Sequence, residues 1–139
     1  MHWASQYIGL PWSATGEGPD VFHCWTFFCH VQAKHFGRPT LPAIPYADDL
    51  LELAREFRDH PERRHWLEVD LSDAVPGDGV LMRQARFPIH IGVWLDVDGG
   101  GVLHCSRDSG VVYQRPSALL VNGWKIHGVY RYVGPVGAA

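Results

Sequence analysis

The chain has 139 residues, which is an ordinary length for one protein domain. Its composition is 46% hydrophobic and 12% aromatic, enough for a packed core, and this excludes the intrinsically disordered class. The 12 basic and 15 acidic residues are scattered, so the one-sided basic surface that marks a nucleic-acid binder is not seen.

The sequence carries no signal for membrane insertion or secretion. No stretch approaches the ~20 consecutive apolar residues that span a bilayer. The first residues, MHWASQYIGLPW, have neither the basic start nor the apolar core of a secretory signal. Three cysteines are too few for a disulfide scaffold, so we expect free thiols in a reducing compartment. These features predict a protein that is cytoplasmic as synthesised.

The first half is predicted to be a loop followed by two helices. Glycine and proline in TGEGPD interrupt regular structure, and a buried helix is expected from Cys24 to Phe36, with Gly37 as its stop. GRPTLPAIPY then predicts an irregular link, and a second helix is expected from about Asp48 to Arg58. Its apolar face recurs at a spacing of three and four residues: Leu50, Leu53, Ala54 and Phe57.

The second half is predicted to form an antiparallel sheet. Short segments rich in Val, Ile, Tyr and Trp are separated by Gly-rich or polar turns: PGDGVLM, HIGVWLDV, GVLHCS, GVVYQR and IHGVYRYV. Helices followed by hairpin-connected strands indicate the α+β class. We expect one domain over residues 1–133 and a C-terminal tail over residues 134–139.

Reactive side chains are concentrated in FHCWTFFCHV, residues 22–31. Cys24 is expected at the start of the first helix, where unpaired amides and the helix dipole lower the pKa of a thiol. It is therefore a candidate nucleophile, with burial in the core as the alternative interpretation. Cys29 lies about 500° further around the helix, so we interpret it, with His30, as helix packing.

His90 and His104 are the candidates for the base and its partner, since a nucleophilic cysteine needs both. They lie in successive strands joined by DVDGGG, which predicts a hairpin centred near Val97 and Asp98. That register puts the two histidines close together, and a bulge or a two-residue shift would set them side by side. His104 would then accept a hydrogen bond from one ring nitrogen of His90 and leave the other nitrogen free for the thiol proton.

A zinc site is the competing interpretation, because zinc binds thiolate and imidazole ligands. The spacing disfavours it: there is no C-x2-C or H-x3-H pair, and Cys105 should point away from His104. TGEGPD also lacks the GK[ST] ending of a phosphate-binding loop. The sequence therefore predicts neither a metal nor another cofactor.

The order of the motifs resembles the NlpC-type papain-like cysteine peptidases. The motifs are Y-x-G-x-P, G-x-G-P-D, a Cys that opens an apolar helix, G-D before a strand, and H-I-G-V-W with a second His downstream. GPDVFHCWTF is most similar to the branch found with phage tails and prophage-like elements. The resemblance runs from about Tyr7 to Arg131.

The resemblance implies a papain-like fold, with N-terminal helices packed on an antiparallel sheet of about five or six strands. It implies that Cys24 is the nucleophile, His90 the general base and His104 the residue that orients the base. The backbone amide of Cys24 would contribute to the oxyanion hole, and Gly77 and Asp78 would form a structural turn. The implied activity is hydrolysis of an amide bond in cell-wall peptides, with phage tail proteins as further partners and the virion as a further location.

The departures from the family pattern concern the substrate. The family usually has Asp before the Cys, Ser after it, and Tyr after the Pro of the first motif; here these positions hold His23, Trp25 and Trp12. We take these three, with Tyr7, as the substrate-binding candidates. Two other functions stay open: an inactive tail-assembly or binding module of the same fold, and an acyltransferase of the same fold.

Overall fold

A computed structural model describes residues 2–39, 41–44, 46 and 49–134. The α-helices in this part of the chain are α1 (Cys24–Phe36), α2 (Leu50–Asp59) and α3 (Pro116–Val121). The strands are β1 (Trp66–Val69), β2 (Gly79–Gln84), β3 (Phe87–Leu95), β4 (Gly101–Ser106), β5 (Gly110–Gln114) and β6 (Lys125–Tyr132). They form one antiparallel sheet in the order β1-β6-β2-β3-β4-β5, which confirms the α+β class. None of the described helices is long and apolar enough to cross a membrane.

Helix α1 has the bounds that the sequence predicts. Its start is fixed by Thr26, whose hydroxyl accepts from the His23 amide at 3.0 Å and donates to the Gly16 carbonyl at 2.7 Å. Its end is fixed by Gly37, which adopts the left-handed conformation with φ 65°. These contacts tie the TGEGPD loop to the helix terminus that carries Cys24.

Helix α2 begins after Asp49, whose side chain accepts from the amides of Leu51 and Glu52 at 2.9 and 3.3 Å. The observed helix agrees with the predicted one to within two residues, and Asp48 lies outside the described residues. Leu53 and Phe57 are buried, and the helix packs against β3. The apolar spacing therefore predicted the buried face correctly at these two positions.

The hairpin of β3 and β4 has nearly the predicted register, with Val93 opposite Leu103, one residue from the expected pairing. The regular ladder ends at this pair, so the part of β3 that carries His90 has no regular pairing with β4. Gly92 allows a close backbone approach there, because an added Cβ would lie 2.8 Å from the Cβ of His104. Irregular pairing and this glycine together bring the two histidines into contact.

Three features differ from the sequence prediction. β3 begins at Phe87 and not at His90, because a tight turn at Ala85, with φ 51°, extends the hairpin with β2. β1 and α3 were not predicted: β1 has four residues with Leu67 exposed, and α3 has six. Both elements depend on their docking onto the sheet, since neither is long enough to be stable alone.

Asp78 lies in the predicted structural turn before β2. It is buried, and its two carboxylate oxygens accept from Nε and Nη2 of Arg131 at 3.1 and 2.9 Å. It also accepts from the amide of Val75 at 2.9 Å. These bonds connect the turn to β6 and agree with a structural interpretation of this residue.

Candidate active site

Cys24 and His90 line one cleft at the start of α1. The walls are largely aromatic and apolar, with side chains from the N-terminal loop, the link before α2, α2, β3 and the segment after α3: Trp12, Tyr46, Leu53, Ile89 and Trp124. Polar side chains from the end of β4 and the turn after it lie at the same cleft: Ser106, Arg107 and Asp108. The fold therefore brings together a thiol and an imidazole that are 66 positions apart in the chain.

The Cys24 thiol is buried, with 6% of the residue exposed. Burial raises its pKa to about 12, although backbone hydrogen bonds at Ile91, Trp25 and Cys24 itself lower it. The lowering expected at a helix start is thus outweighed by desolvation. The thiol is protonated at neutral pH, and a nearby base is required to make it nucleophilic.

His90 and His104 lie side by side, with 2.7 Å between Nε2 of His90 and Nδ1 of His104. Burial lowers the pKa of His90 well below its ordinary value, and repulsion from His104 adds to this effect. Burial also lowers the pKa of His104, to about 4, although the hydrogen bond to Oε1 of Gln114 acts in the opposite direction. Both rings are therefore neutral at pH 7, so each has one N–H donor and one acceptor nitrogen.

Gln114 extends this pair into a chain of three side chains, since its Oε1 lies 2.8 Å from Nε2 of His104. In the ladder of β4 and β5, His104 faces Val112, so Gln114 is its diagonal neighbour on the same face of the sheet. The sequence analysis did not identify Gln114. Only the register of β4 and β5 could have indicated it.

Trp124 covers one face of His90. The two rings are stacked, with centroids 4.5 Å apart and planes inclined by 20°. Trp124 is positioned by the end of α3, where its amide donates to the Leu119 carbonyl at 2.9 Å. An indole in this place keeps water from the imidazole face and favours the protonated ring through a cation–π interaction. Trp124 was also missed, because it lies in a turn with no local catalytic pattern.

One of the substrate-binding candidates, Trp12, lies in the cleft. Its ring contacts Tyr46 edge-on, with 5.0 Å between centroids, and the Arg107 guanidinium lies 5.6 Å from its ring centre. Arg107 also donates to the Tyr46 hydroxyl at 3.2 Å. These contacts form one wall of the cleft.

The other three candidates are not among the residues that line the cleft. The Tyr7 hydroxyl lies 3.1 Å from Nε2 of His30 and 2.8 Å from Nε2 of His35. The Trp25 indole donates to the Pro42 carbonyl at 2.8 Å, which directs it away from the cleft. His23 is buried at the N-cap of α1, and burial lowers its pKa.

Tyr7, Trp25 and His23 are thus held by hydrogen bonds or by packing within the fold. Their positions do not support the predicted role as substrate contacts. A residue that follows Cys24 in the chain need not lie beside it in the cleft, because successive side chains of a helix point along different faces.

Within the described residues, no group of three or more His, Cys, Asp or Glu side chains is arranged to hold a metal ion. Cys105 points away from His104, as predicted, and its thiol donates to the Phe22 carbonyl at 3.5 Å. Cys29 is half-buried on α1. The three thiols are all free.

Comparison with solved structures identifies the fold. The NlpC/p60 domain of the peptidoglycan hydrolase SagA matches with a TM-score of 0.61 at 19% identity, covering 92% of each chain. The chain has the NlpC/p60 fold. NlpC2 from Trichomonas vaginalis matches with a TM-score of 0.62 at 19% identity. A lipoprotein-like NLP/p60-family protein from Staphylococcus aureus subsp. aureus Mu50 matches with a TM-score of 0.64 at 19% identity.

The NlpC/p60 fold covers nearly the whole chain, but the chain spans only 44% of NlpC2 and 39% of the staphylococcal protein. No family model and no curated protein matches the sequence. At this identity the likeness establishes the fold, and it confirms the expected helices packed on a six-stranded antiparallel sheet.

The cleft of this NlpC/p60 fold combines a thiol, a neutral imidazole and the backbone amides of the first turn of α1. Those amides have no partner within the helix, so they can stabilise a negative charge that forms near the sulfur. Groups of these kinds are the ones that acyl transfer to a cysteine uses.

Proposed function

We propose that the protein is a cysteine hydrolase that cleaves an amide bond in a cell-wall peptide, with Cys24 as nucleophile, His90 as general base and His104 as the residue that orients the base. The observation that supports this most is the 2.7 Å contact between His90 and His104 in the cleft that also contains Cys24. A second support is the fold, since SagA, one of its structural neighbours, is a peptidoglycan hydrolase.

The first step is attack on the substrate carbonyl. Nε2 of His90 is engaged with His104, so Nδ1 takes the proton from Sγ of Cys24. The sulfur then bonds to the carbonyl carbon, and the carbonyl electron pair moves to the oxygen. The amides at the start of α1, including that of Cys24, stabilise this oxyanion.

The second step separates the products. The tetrahedral intermediate collapses, the C–N bond breaks, and His90 returns its proton to the leaving amine. Water then attacks the thioester with His90 again acting as base, which releases the acid and restores the thiol. Because burial favours the neutral thiol and the neutral imidazole, the charged pair forms only when the substrate is attacked.

The nature of the cleft bears on the substrate. His23 replaces the family's usual Asp and lies buried at the N-cap, so it supplies no carboxylate for a charged peptide end. The wall formed by Trp12 and Tyr46 instead fits an apolar part of a peptide. We also propose association with a phage tail, and this part of the proposal rests on the sequence motif GPDVFHCWTF alone.

Digestion of purified peptidoglycan, with mass analysis of the fragments, tests this function. We expect new peptide fragments with the wild-type protein and with the control Cys29→Ala, which removes a thiol outside the cleft. Cys24→Ala should give none. Equal fragment yields from Cys24→Ala would overturn the proposal, and so would the absence of fragments from both wild type and Cys29→Ala.

An inactive binding module of the same fold is the second candidate, favoured by the burial that raises the pKa of Cys24 to about 12. Alkylation by iodoacetamide from pH 6 to 10, quantified on the Cys24 peptide, separates the two. In an enzyme, His90→Ala slows alkylation because the base is lost. Identical rates for wild type and His90→Ala at every pH favour the inactive module.

A further inference from the structure

We propose that Gln114 is a positioning residue that fixes the proton positions on His104 and His90, and so leaves Nδ1 of His90 as the proton acceptor. The effect on catalysis rests on the proposed function. The effect on the two rings does not, because it is a property of the folded protein.

Gln114 ends the chain of three hydrogen-bonded side chains. Oε1 of Gln114 is a carbonyl oxygen and can only accept a hydrogen bond. Nε2 of His104 lies 2.8 Å away, so this nitrogen carries the proton. A neutral imidazole has a single N–H, and Nδ1 of His104 is therefore an acceptor.

The position of the proton on His104 determines that on His90. Its Nε2 lies 2.7 Å from the acceptor Nδ1 of His104, so Nε2 of His90 must donate. The lone pair of a neutral His90 is then on Nδ1, the nitrogen that the proposed reaction uses. His90 and His104 are only 5% and 1% exposed, so water does not compete with this order of bonds.

The reverse orientation of one amide group would abolish the base. If the nitrogen of the Gln114 amide faced His104, it would donate, and every hydrogen bond in the chain would reverse. Nδ1 of His90 would then carry a hydrogen and could not take the thiol proton. An acceptor at position 114 is thus what makes the neutral His90 ring suitable for this reaction.

Nuclear magnetic resonance tests the proposal directly. Long-range 1H–15N correlation spectra of the 15N-labelled protein at pH 8 distinguish the two neutral forms of each ring. The signals are assigned by their loss in His90→Gln and His104→Gln. We expect both rings to carry the proton on Nε2. Either ring with its proton on Nδ1 in the wild type would overturn the proposal.

Variants at position 114 test the cause. Gln114→Glu keeps a hydrogen-bond acceptor, so both rings should keep their proton on Nε2 as in the wild type. Gln114→Leu replaces the acceptor by an apolar side chain of similar size. His104 should then be a mixture of the forms protonated on Nδ1 and on Nε2. Gln114→Lys supplies only donors and should move the His104 proton to Nδ1. Gln6→Leu, the same change at an exposed site outside the cleft, is the control. Unchanged spectra in both Gln114→Leu and Gln114→Lys would contradict the proposal.

Kinetics then connect the ring forms to catalysis. With a muropeptide substrate, we expect Gln114→Leu to lower kcat roughly three- to tenfold, as for loss of one hydrogen bond, with KM unchanged. Gln114→Glu should retain kcat within about twofold, because it preserves the acceptor. A fall in kcat without any change in the ring spectra would contradict this inference. If the wild type cleaves nothing, the proposed function fails, while the spectra still decide the role of Gln114.

Discussion

His90 contacts two ring side chains, and the two contacts differ in their effect on its chemistry. Nε2 of His90 lies 2.7 Å from Nδ1 of His104, and the Trp124 ring is stacked on one face, with 4.5 Å between centroids. His90 also lines the cleft that contains Cys24. Burial favours the neutral form of the ring. The proposed base is thus held and covered by neighbours that do not themselves react in the proposed mechanism.

The contribution of Trp124 can be measured by substitution. Trp124→Ala removes the stacked ring, and we expect kcat/KM to fall about fivefold because the protonated form of His90 loses a cation–π contact. Trp124→Phe keeps an aromatic face and should lose less. Steady-state kinetics on a muropeptide provide the measurement, and equal kcat/KM for wild type and Trp124→Ala would show that the stacking has no role.

Among the secondary-structure elements, β3 and β4 determine the geometry of the site, because their regular pairing ends at Val93 and Leu103, next to the two histidines. Gly92 lies where the two strands approach, and a methyl group there would meet the side chains of Val102 and His104. We expect Gly92→Ala to lower the free energy of unfolding by about 1–3 kcal/mol, as overpacking does in a filled interior.

Urea unfolding at pH 8 measures this cost, and the 1H–15N spectra report whether His90 and His104 still share a proton. The account predicts a destabilised protein whose His90 and His104 signals both move. An unchanged midpoint with unchanged ring signals would mean that the close approach at Gly92 is not needed.

Local signals explain which elements the sequence could predict. α1 was predictable because a Gly-free and Pro-free run ends at Gly37, and the β3–β4 hairpin because DVDGGG marks its turn. β1 and α3 were not, because they are short and rely on docking to the sheet. Gln114 and Trp124 could not be predicted for the same reason, since each lies at the site only because of tertiary packing.

The thiol illustrates a second limit of sequence reasoning. The position of Cys24 at a helix start was predictable, but the direction of its pKa shift was not. Local sequence indicates the helix dipole, whereas burial depends on the whole fold and dominates here. Tyr7 and Trp25 show the same limit, since their hydrogen-bond partners come from other segments of the chain.

At the scale of the whole molecule, buried neutral histidines make stability depend on pH. The pKa of His104 is lowered to about 4 in the folded state, and that of His90 is lowered as well. The unfolded chain therefore binds protons at a higher pH than the native state does. Stability is complete above the ordinary histidine pKa and decreases as the pH falls through it.

We expect the free energy of unfolding to be lower at pH 5 than at pH 7, with about 1–2 kcal/mol of that difference due to His104. Urea titrations at both values, with His104→Gln and the exposed control His127→Gln, provide the test. His104→Gln should reduce the difference between the two pH values, and His127→Gln should leave it nearly as in the wild type. Equal differences in the two variants would mean that His104 is not the source.

The proposed mechanism requires a thioester between Cys24 and the substrate, formed with the help of His90. Acid-quenched reactions with a muropeptide, followed by digestion and mass spectrometry of the Cys24 peptide, detect this thioester. We expect a transient acyl adduct on Cys24 in the wild type, a much slower adduct in His90→Ala, and neither adduct nor product in Cys24→Ala. Product formation at equal rates by wild type and Cys24→Ala, with no adduct on Cys24, would rule this mechanism out.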